Sequence, residues 1–321
     1  MSSSAELSRT LEVAQDLWAF ETVFWGKPLY LYLFCGDRPL LCDAGPAGLP
    51  TELLLPALDR ERLLPTGLAF LLNAHSHIDH YGGNGEFKAR FPHLVILAHA
   101  REVELIADHQ KEYDAIYDRW PSLFQFEPSF REEWLRLGGE ETGPDIGLQN
   151  DTIIDIGGRR LQVVDLSGHS FGDLGLYDAE RRILFSGEAL LAQGARNDAG
   201  TVVAPPYYES AENYWCSLDV VQSLDVECLC TSHFGILKGE AVRTHVAESR
   251  RFFEEYERGI LEILHAAGKQ GLTVEAVARE YAARYSPFDF RLETMQAVST
   301  HLDFLATKGM IRRRNGRAVA T

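Results

Sequence analysis

The chain has 321 residues, 45% hydrophobic and 24% charged, which suits one large globular domain with a smaller companion and leaves enough apolar residues for a sizeable core. A net charge of −16 sets the surface against phosphate backbones and argues against a nucleic-acid partner. No apolar run reaches the roughly 18–20 residues of a membrane span, and the opening MSSSAELSRTLEV lacks the basic and apolar regions of a secretory signal, so a cytoplasmic protein is expected.

The first elements are short runs of aromatic and β-favouring residues punctuated by Gly and Pro. LWAFETVFW, PLYLYLFCG and RPLLCDAG read as strands. Leucines at helical spacing from Thr51 to Leu64 predict a helix that ends near Pro65. LAFLLNAHSH is an apolar run stopping abruptly at histidines, as a buried strand does when it delivers polar groups at its end; LVILAHA repeats the pattern. Strands alternating with helices predict an α/β layered core. Cys35, Cys42, Cys216, Cys228 and Cys230 are odd in number and lack framework spacing, so buried free thiols in a reducing compartment are expected.

Residues 101–137 change character. REVELIADHQKEYDAIYDRW has a helical pattern, and Tyr113, Tyr117, Trp120, Phe124, Phe126, Phe130 and Trp134 follow closely. This reads as a helical, aromatic insertion that would cap a site. A second strand series comes next: TIIDIGGRRLQVVDLSGHS, LGLYDAERRILFSGE and VECLCTSHFG, each carrying His or Glu at its end. Beyond about Gly239 the pattern becomes helical, with RRFFEEYERGILEILHAAG, TVEAVAREYAARY and ETMQAVSTHLDFLATKGMI, then a hairpin turning at Asn315-Gly316. Residues 1–240 are therefore expected to form a catalytic domain and 241–321 a helical, winged-helix-like module. Dimerisation, as a homodimer, or duty as a lid suits that module better than DNA binding, because Arg312, Arg313, Arg314 and Arg317 form its one basic cluster.

The densest chemistry is HSHIDHYGG. His75, His77, Asp79 and His80 put three imidazoles and a carboxylate at a strand end, too many ligand-type groups in six positions for packing. Imidazole nitrogen and carboxylate oxygen suit divalent first-row metals. Gly82 and Gly83 allow tight backbone behind them. His99 is a weaker candidate at its own strand end, and Tyr207 and Tyr208, after Pro205-Pro206, could line a cleft. His93, His109, His245, His265 and His301 read as helix-face or loop residues.

H-x-H-x-D-H-x-G-G, standing as HSHIDHYGG, resembles the signature of the metallo-β-lactamase-fold hydrolases, and LCDAG, LSGHSFGDLGLY, LFSGEAL and TSHFG follow the family's other motifs in order across roughly residues 15–240. The resemblance implies an αββα sandwich with a dinuclear site at one end of its sheets. His75, His77 and His169 would hold one divalent ion, Asp79, His80 and His233 a second, and Glu188 would bridge them. Asp43 would stand behind a metal-bound histidine and orient it. Asp79 would also be the catalytic group that orients the nucleophile or accepts its proton. Zinc is the expected metal, with iron or manganese open, since no cysteine joins the set. Glu188 departs from the family's aspartate and reaches about 1.5 Å farther; a bridge with adjusted backbone, chelation of one metal and a weakened site all stay open.

Two branches of the superfamily are similar: lactamase-B2-like endoribonucleases, in their winged-helix C-terminal segment, and quinolone-pathway thioesterases, in the run from Gly168 to Gly187. The expected function is hydrolysis of an ester or thioester, with a small-molecule acyl substrate, because apolar lining favours acyl over phosphodiester groups. A metal-dependent ribonuclease and a weakly active regulatory or partner-binding protein are the alternatives. Absence of a secretion signal argues against β-lactam hydrolysis.

Overall fold

The computed structural model describes residues 9–64, 67–314 and 316–321. The expected helix end at Pro65 and the Asn315 corner of the hairpin lie outside them. The described chain divides into two compact units. One comprises the described residues among 1–165, 172–188 and 225–239; the other comprises those among 166–171, 189–224 and 240–321.

The first unit holds two sheets. In the first, β1 (Arg9–Ala14), β2 (Leu17–Phe24), β3 (Lys27–Phe34), β4 (Leu40–Cys42), β5 (Phe70–Leu72), β6 (Val95–His99) and β7 (Ile146–Leu148) lie in chain order. Pairing is antiparallel as far as β4 and parallel from β4 to β7. The parallel part arises because a helical crossover precedes each strand: α1 (Leu55–Arg60) before β5, α2 (Ile78–Tyr81) and α3 (Asn84–Arg90) before β6, and α4 (Val103–Ala107), α5 (His109–Ile116) and α6 (Pro128–Gly138) before β7. Strand β1 was not among the expected elements, since RTLEVA alternates only weakly.

The second sheet runs through β8 (Ile153–Asp155), β9 (Arg160–Asp165), β10 (Leu174–Asp178) and β11 (Ile183–Gly187). Its order is completed by the strands Cys228–Thr231 and Ile236–Lys238, the first of them parallel to β11 and the second antiparallel to the first. Apolar residues from both sheets share one buried cluster, including Tyr32, Phe34, Leu72, Leu97, Val163, Leu176 and Phe185. The first sheet's other face packs Phe20, Leu31 and Leu71 against Leu54, Leu58 and Phe87 of the helical layer. Alternation along β2 and β3 therefore divides their side chains between two apolar interiors.

In the helical insertion, Tyr113, Trp134 and Leu137 are buried with Ile78 and Tyr81, and Phe24, Tyr117 and Phe130 pack against them. Much of the aromatic content thus anchors the insertion to the body. The five cysteines are free thiols; Cys42, Cys228 and Cys230 are buried as such thiols were expected to be, whereas Cys35 is half-buried and Cys216 is exposed.

The second unit begins with a two-stranded ladder, β12 (Ala195–Arg196) with β13 (Val202–Ala204), and α7 (Ala211–Ser223). With the two strands that close the second sheet numbered β14 (Cys228–Thr231) and β15 (Ile236–Lys238), it continues in α8 (Glu240–Ala267), β16 (Leu272–Thr273), α9 (Val274–Tyr285), α10 (Leu292–Thr307), β17 (Ile311–Arg314) and β18 (Arg317–Ala320). Helix α8 starts well before the expected stretch, and the wing has three strands, β16-β18-β17, where two were expected. No helix among the described residues is long and apolar enough to cross a membrane.

Phe185 is fully buried between the sheets, its ring 5.6 Å from that of Tyr32. Phe185→Ala should therefore cost about 3–5 kcal/mol of unfolding free energy in a urea titration. A cost below ~1 kcal/mol would contradict the shared core described above.

Candidate metal centre

Strand β5 ends at Leu72, and the chain then turns back sharply into α2. Asn73 and Asn84, both buried, close this turn: Asn73 Nδ2 donates to Asn84 Oδ1 at 3.0 Å and Asn84 Nδ2 returns a bond to Asn73 Oδ1 at 2.9 Å. Asn73 Nδ2 also reaches the His80 carbonyl at 3.2 Å. Between them, the Ser76 N–H donates to the buried Glu102 carboxylate at 3.2 Å. These three supports were missed in the sequence. Asn73 and Asn84 do flank the histidine motif, one at each end, and that symmetry was the available signal.

The glycines after His80 serve close approach. Gly82 has an ordinary φ of −54°, yet a Cβ there would stand 2.2 Å from the Leu137 carbonyl oxygen. The turn is thereby pressed against the end of α6.

Asp43, just past β4, sits in the left-handed region at φ 65°, a conformation that Asp tolerates better than most residues. Its Oδ1 accepts the Ala74 N–H at 2.8 Å; its Oδ2 lies 2.8 Å from His80 Nδ1 and accepts the Ser232 hydroxyl at 3.2 Å. A carboxylate can only accept, so His80 Nδ1 carries the proton and Nε2 presents its lone pair. His233 is set in the same way. It follows β14 in a turn pinned by Thr231, and its Nδ1 donates to the Pro28 carbonyl at 2.6 Å.

These two imidazoles point their Nε2 atoms at carboxylates. His80 Nε2 lies 3.8 Å from Asp79 Oδ2 and 3.7 Å from Glu188 Oε2; His233 Nε2 lies 3.4 Å and 3.3 Å from the same atoms. His80 Nε2 is fully buried and makes no hydrogen bond. A lone pair facing two carboxylates is repulsive unless something positive stands among them. Two ligand atoms held at 2.0–2.1 Å by one tetrahedral zinc are about 3.3 Å apart, close to the spacings of His233. The donor set fits a divalent cation.

The electrostatics agree. Burial works to lower the His80 pKa, but the Asp43 and Asp79 carboxylates hold it well above the ordinary imidazole value. At His233 burial likewise opposes protonation, and Glu188 and Asp79 overcome it, raising the pKa to about 9. Burial works to raise Asp79, while His80 and His233 keep it below the usual carboxylate range. The pocket's field thus calls for positive charge, as protons or as a metal.

Potential ligand atoms of His75, His77 and Glu188 lie within 4.8 Å of one another, and those of Asp79, His80 and His233 form a second such group. His75 Nε2 and His77 Nδ1 are 2.9 Å apart. Glu188 Oε2 also stands 3.9 Å from His75 Nε2, so this one oxygen neighbours members of both groups. Glu188 leaves β11 through Gly187, at φ 55°, where the pairing with β14 slips register. His169 Nδ1 donates to the Tyr207 carbonyl at 3.0 Å. His99 is not in either group: it lies with Arg101 and Asp165, its Nδ1 accepting the Arg101 N–H. Tyr208 is fully buried against Tyr214 and His301, and so lines no cleft.

Residues 30–233 match the metallo-beta-lactamase superfamily, and the chain belongs to it. Bovine (Bos taurus) acyl-coenzyme A thioesterase MBLAC2 is 30% identical over 189 residues, 52% of this chain and 63% of that protein. Hydroxyacylglutathione hydrolase of Synechococcus sp. (strain JA-3-3Ab) is 27% identical over 139 residues, 43% of this chain and 41% of its own. The match thus spans less than two thirds of either relative. A metallo-beta-lactamase family protein from Thermus thermophilus shares the fold across 97% of this chain and 100% of its own, with a TM-score of 0.73 at 20% identity.

Replacing Gly82 with Ala places a methyl group against the Leu137 carbonyl. A loss of about 1–3 kcal/mol is expected in chemical denaturation, with Gly82→Ser at least as severe. Unchanged stability in both would show that the turn does not depend on that contact.

Proposed function

We propose that this chain is a metal-dependent hydrolase of ester or thioester bonds in small acyl substrates. In this reading His75, His77 and His169 would hold one divalent cation, Asp79, His80 and His233 would hold another, and Glu188 would be a ligand available to both. The supporting observation is the buried His80 Nε2, tautomerically fixed by Asp43 and facing Asp79 and Glu188 with no hydrogen bond. Nitrogen and oxygen donors alone suit zinc, and suit iron or manganese as well. Similarity to an acyl-coenzyme A thioesterase and to a hydroxyacylglutathione hydrolase supports thioesters as the substrate class.

Bound cations of this kind supply Lewis acidity and bring the pKa of water near neutrality. The chain's own groups do the rest. Asp43 and the Pro28 carbonyl fix the tautomers of His80 and His233, so that both present lone pairs. Asp79, whose Oδ2 faces both of these imidazoles, is the carboxylate available to orient the attacking water or take its proton. The register slip before Glu188 is the backbone adjustment that lets a glutamate serve where a shorter aspartate would otherwise reach. Residues 1–240 supply this chemistry. The turn's Ile78 and Tyr81, buried with Tyr113 and Trp134, anchor it to the helical insertion.

Elemental analysis of unchelated protein should find transition ions, and a panel of acyl-CoA and acyl-glutathione thioesters should release thiol. Asp43→Ala should lower metal affinity or turnover by about 10–100-fold, and His80→Ala should lose more. Metal-loaded protein that turns over no thioester, ester or lactone would overturn the hydrolase reading. Cleavage of single-stranded RNA with steep salt dependence would replace it with a nuclease.

Chelation followed by re-addition of zinc, manganese or iron(II) tests the cation requirement separately. Thiol release should vanish with chelator and return with at least one of these ions. Activity undiminished after verified metal removal would exclude the proposed chemistry.

A further inference from the structure

We propose that the C-terminal helix α10 positions His169, through Gln296 and the Tyr207–Glu209 segment. The inference rests on the reading of His169 as a metal ligand, and it concerns the second unit alone.

His169 lies on a short loop with little freedom. Gly168 has φ 146°, and a Cβ there would stand 2.4 Å from Tyr214 Cα, so the loop is pressed onto the start of α7. Its carbonyls are tied down as well. Ser217 Oγ donates to the Ser167 carbonyl at 2.8 Å, and the Glu209 and Ser210 N–H groups donate to the Gly168 carbonyl at 2.9 and 3.1 Å. The backbone is thus set by α7, while the ring is oriented by the bond from Nδ1 to the Tyr207 carbonyl. A carbonyl only accepts, so this bond leaves Nε2 as the lone-pair nitrogen.

What holds the Tyr207 carbonyl is therefore what aims the imidazole. Tyr207 follows two prolines, whose fixed φ limits the entering chain. Its hydroxyl donates to Glu209 Oε1 at 2.6 Å. Gln296, buried on α10, sends Nε2 to the Tyr208 carbonyl at 3.2 Å and towards Glu209 Oε2 at 3.4 Å. The Tyr208 ring is buried between Tyr214 of α7, Phe253 of α8 and His301 of α10. One amide on α10 thus grips both the backbone beside the His169 acceptor and the carboxylate that holds the Tyr207 ring. The C-terminal helices complete the setting of a residue far earlier in the chain.

The test measures zinc affinity by chelator competition, together with the visible spectrum of cobalt-substituted protein, for the full chain and four variants. His169→Ala tests the ligand reading and should weaken one site and alter the spectrum. Gln296→Leu, similar in size but without its donors, should weaken the same site by about 10–100-fold. Glu209→Ala, on a half-buried loop, should act in the same direction and covers the case in which Gln296→Leu fails to fold. Leu302→Ala removes a fully buried α10 side chain outside this network and should lower thermal stability while leaving zinc affinity unchanged. If His169→Ala leaves affinity and spectrum unchanged, the ligand reading falls and the inference with it. If His169→Ala weakens binding but folded Gln296→Leu or Glu209→Ala does not, only the inference is overturned. Equal loss in Leu302→Ala would also overturn it, by reducing the effect to general destabilisation.

Discussion

The Asp43 carboxylate is the tie on which the site depends. Four segments of the first unit meet at this residue: its own N–H donates to the Leu72 carbonyl, and its oxygens hold the Ala74 N–H, the His80 ring and the Ser232 hydroxyl. Strand ends that are remote in sequence are thereby registered against one buried charge. An uncompensated carboxylate in such a place would be costly; three donors make it stable, and its remaining consequence is to fix which nitrogen of His80 is free. Fold and chemistry are joined in this one group.

The same economy governs the charges in front of it. Asp79 and Glu188 face imidazole nitrogens at distances too long for good hydrogen bonds and well matched to two ligands of a common cation. Neighbouring carboxylates also favour positive charge on the imidazoles, which is why burial fails to hold the His80 and His233 pKa values down. The strand before Glu188 does not run straight. The glycine in the left-handed region and the slipped register alter how the side chain leaves the sheet, and a residue that looks one methylene too long in the sequence comes to lie beside both groups of histidines.

The unit that carries the C-terminal helices gathers residues 166–171 and 189–224 with them. Its contacts follow from side chains that sequence order scatters: Gln296 with the Tyr208 carbonyl, His245 Nε2 with the Leu190 carbonyl, and Ser249 Oγ with the Ala192 N–H. Buried polar groups need partners wherever the chain can provide them, and here they are provided across long separations.

Much of the candidate site was legible in the sequence, because ligand-type residues cluster where buried strands stop and apolar runs ending in His or Glu mark those places directly. HSHIDH, the GHS turn, the glutamate after LFSG and the TSHFG turn could all be found this way, as could the strands of the sandwich and the helices of the C-terminal module. The supports were not legible. Asn73, Asn84 and Glu102 are ordinary polar residues until the turn brings them into a buried place, and nothing in RTLEVA marks an added strand until β2 lies beside it. The sequence alone determined which chemical groups stand at strand ends, since that depends on local pattern and residue type. Which nitrogen each imidazole offers, and which carbonyl or carboxylate decides it, was settled only by tertiary structure, because a hydrogen-bond partner is fixed by distance in space and not by position in the chain.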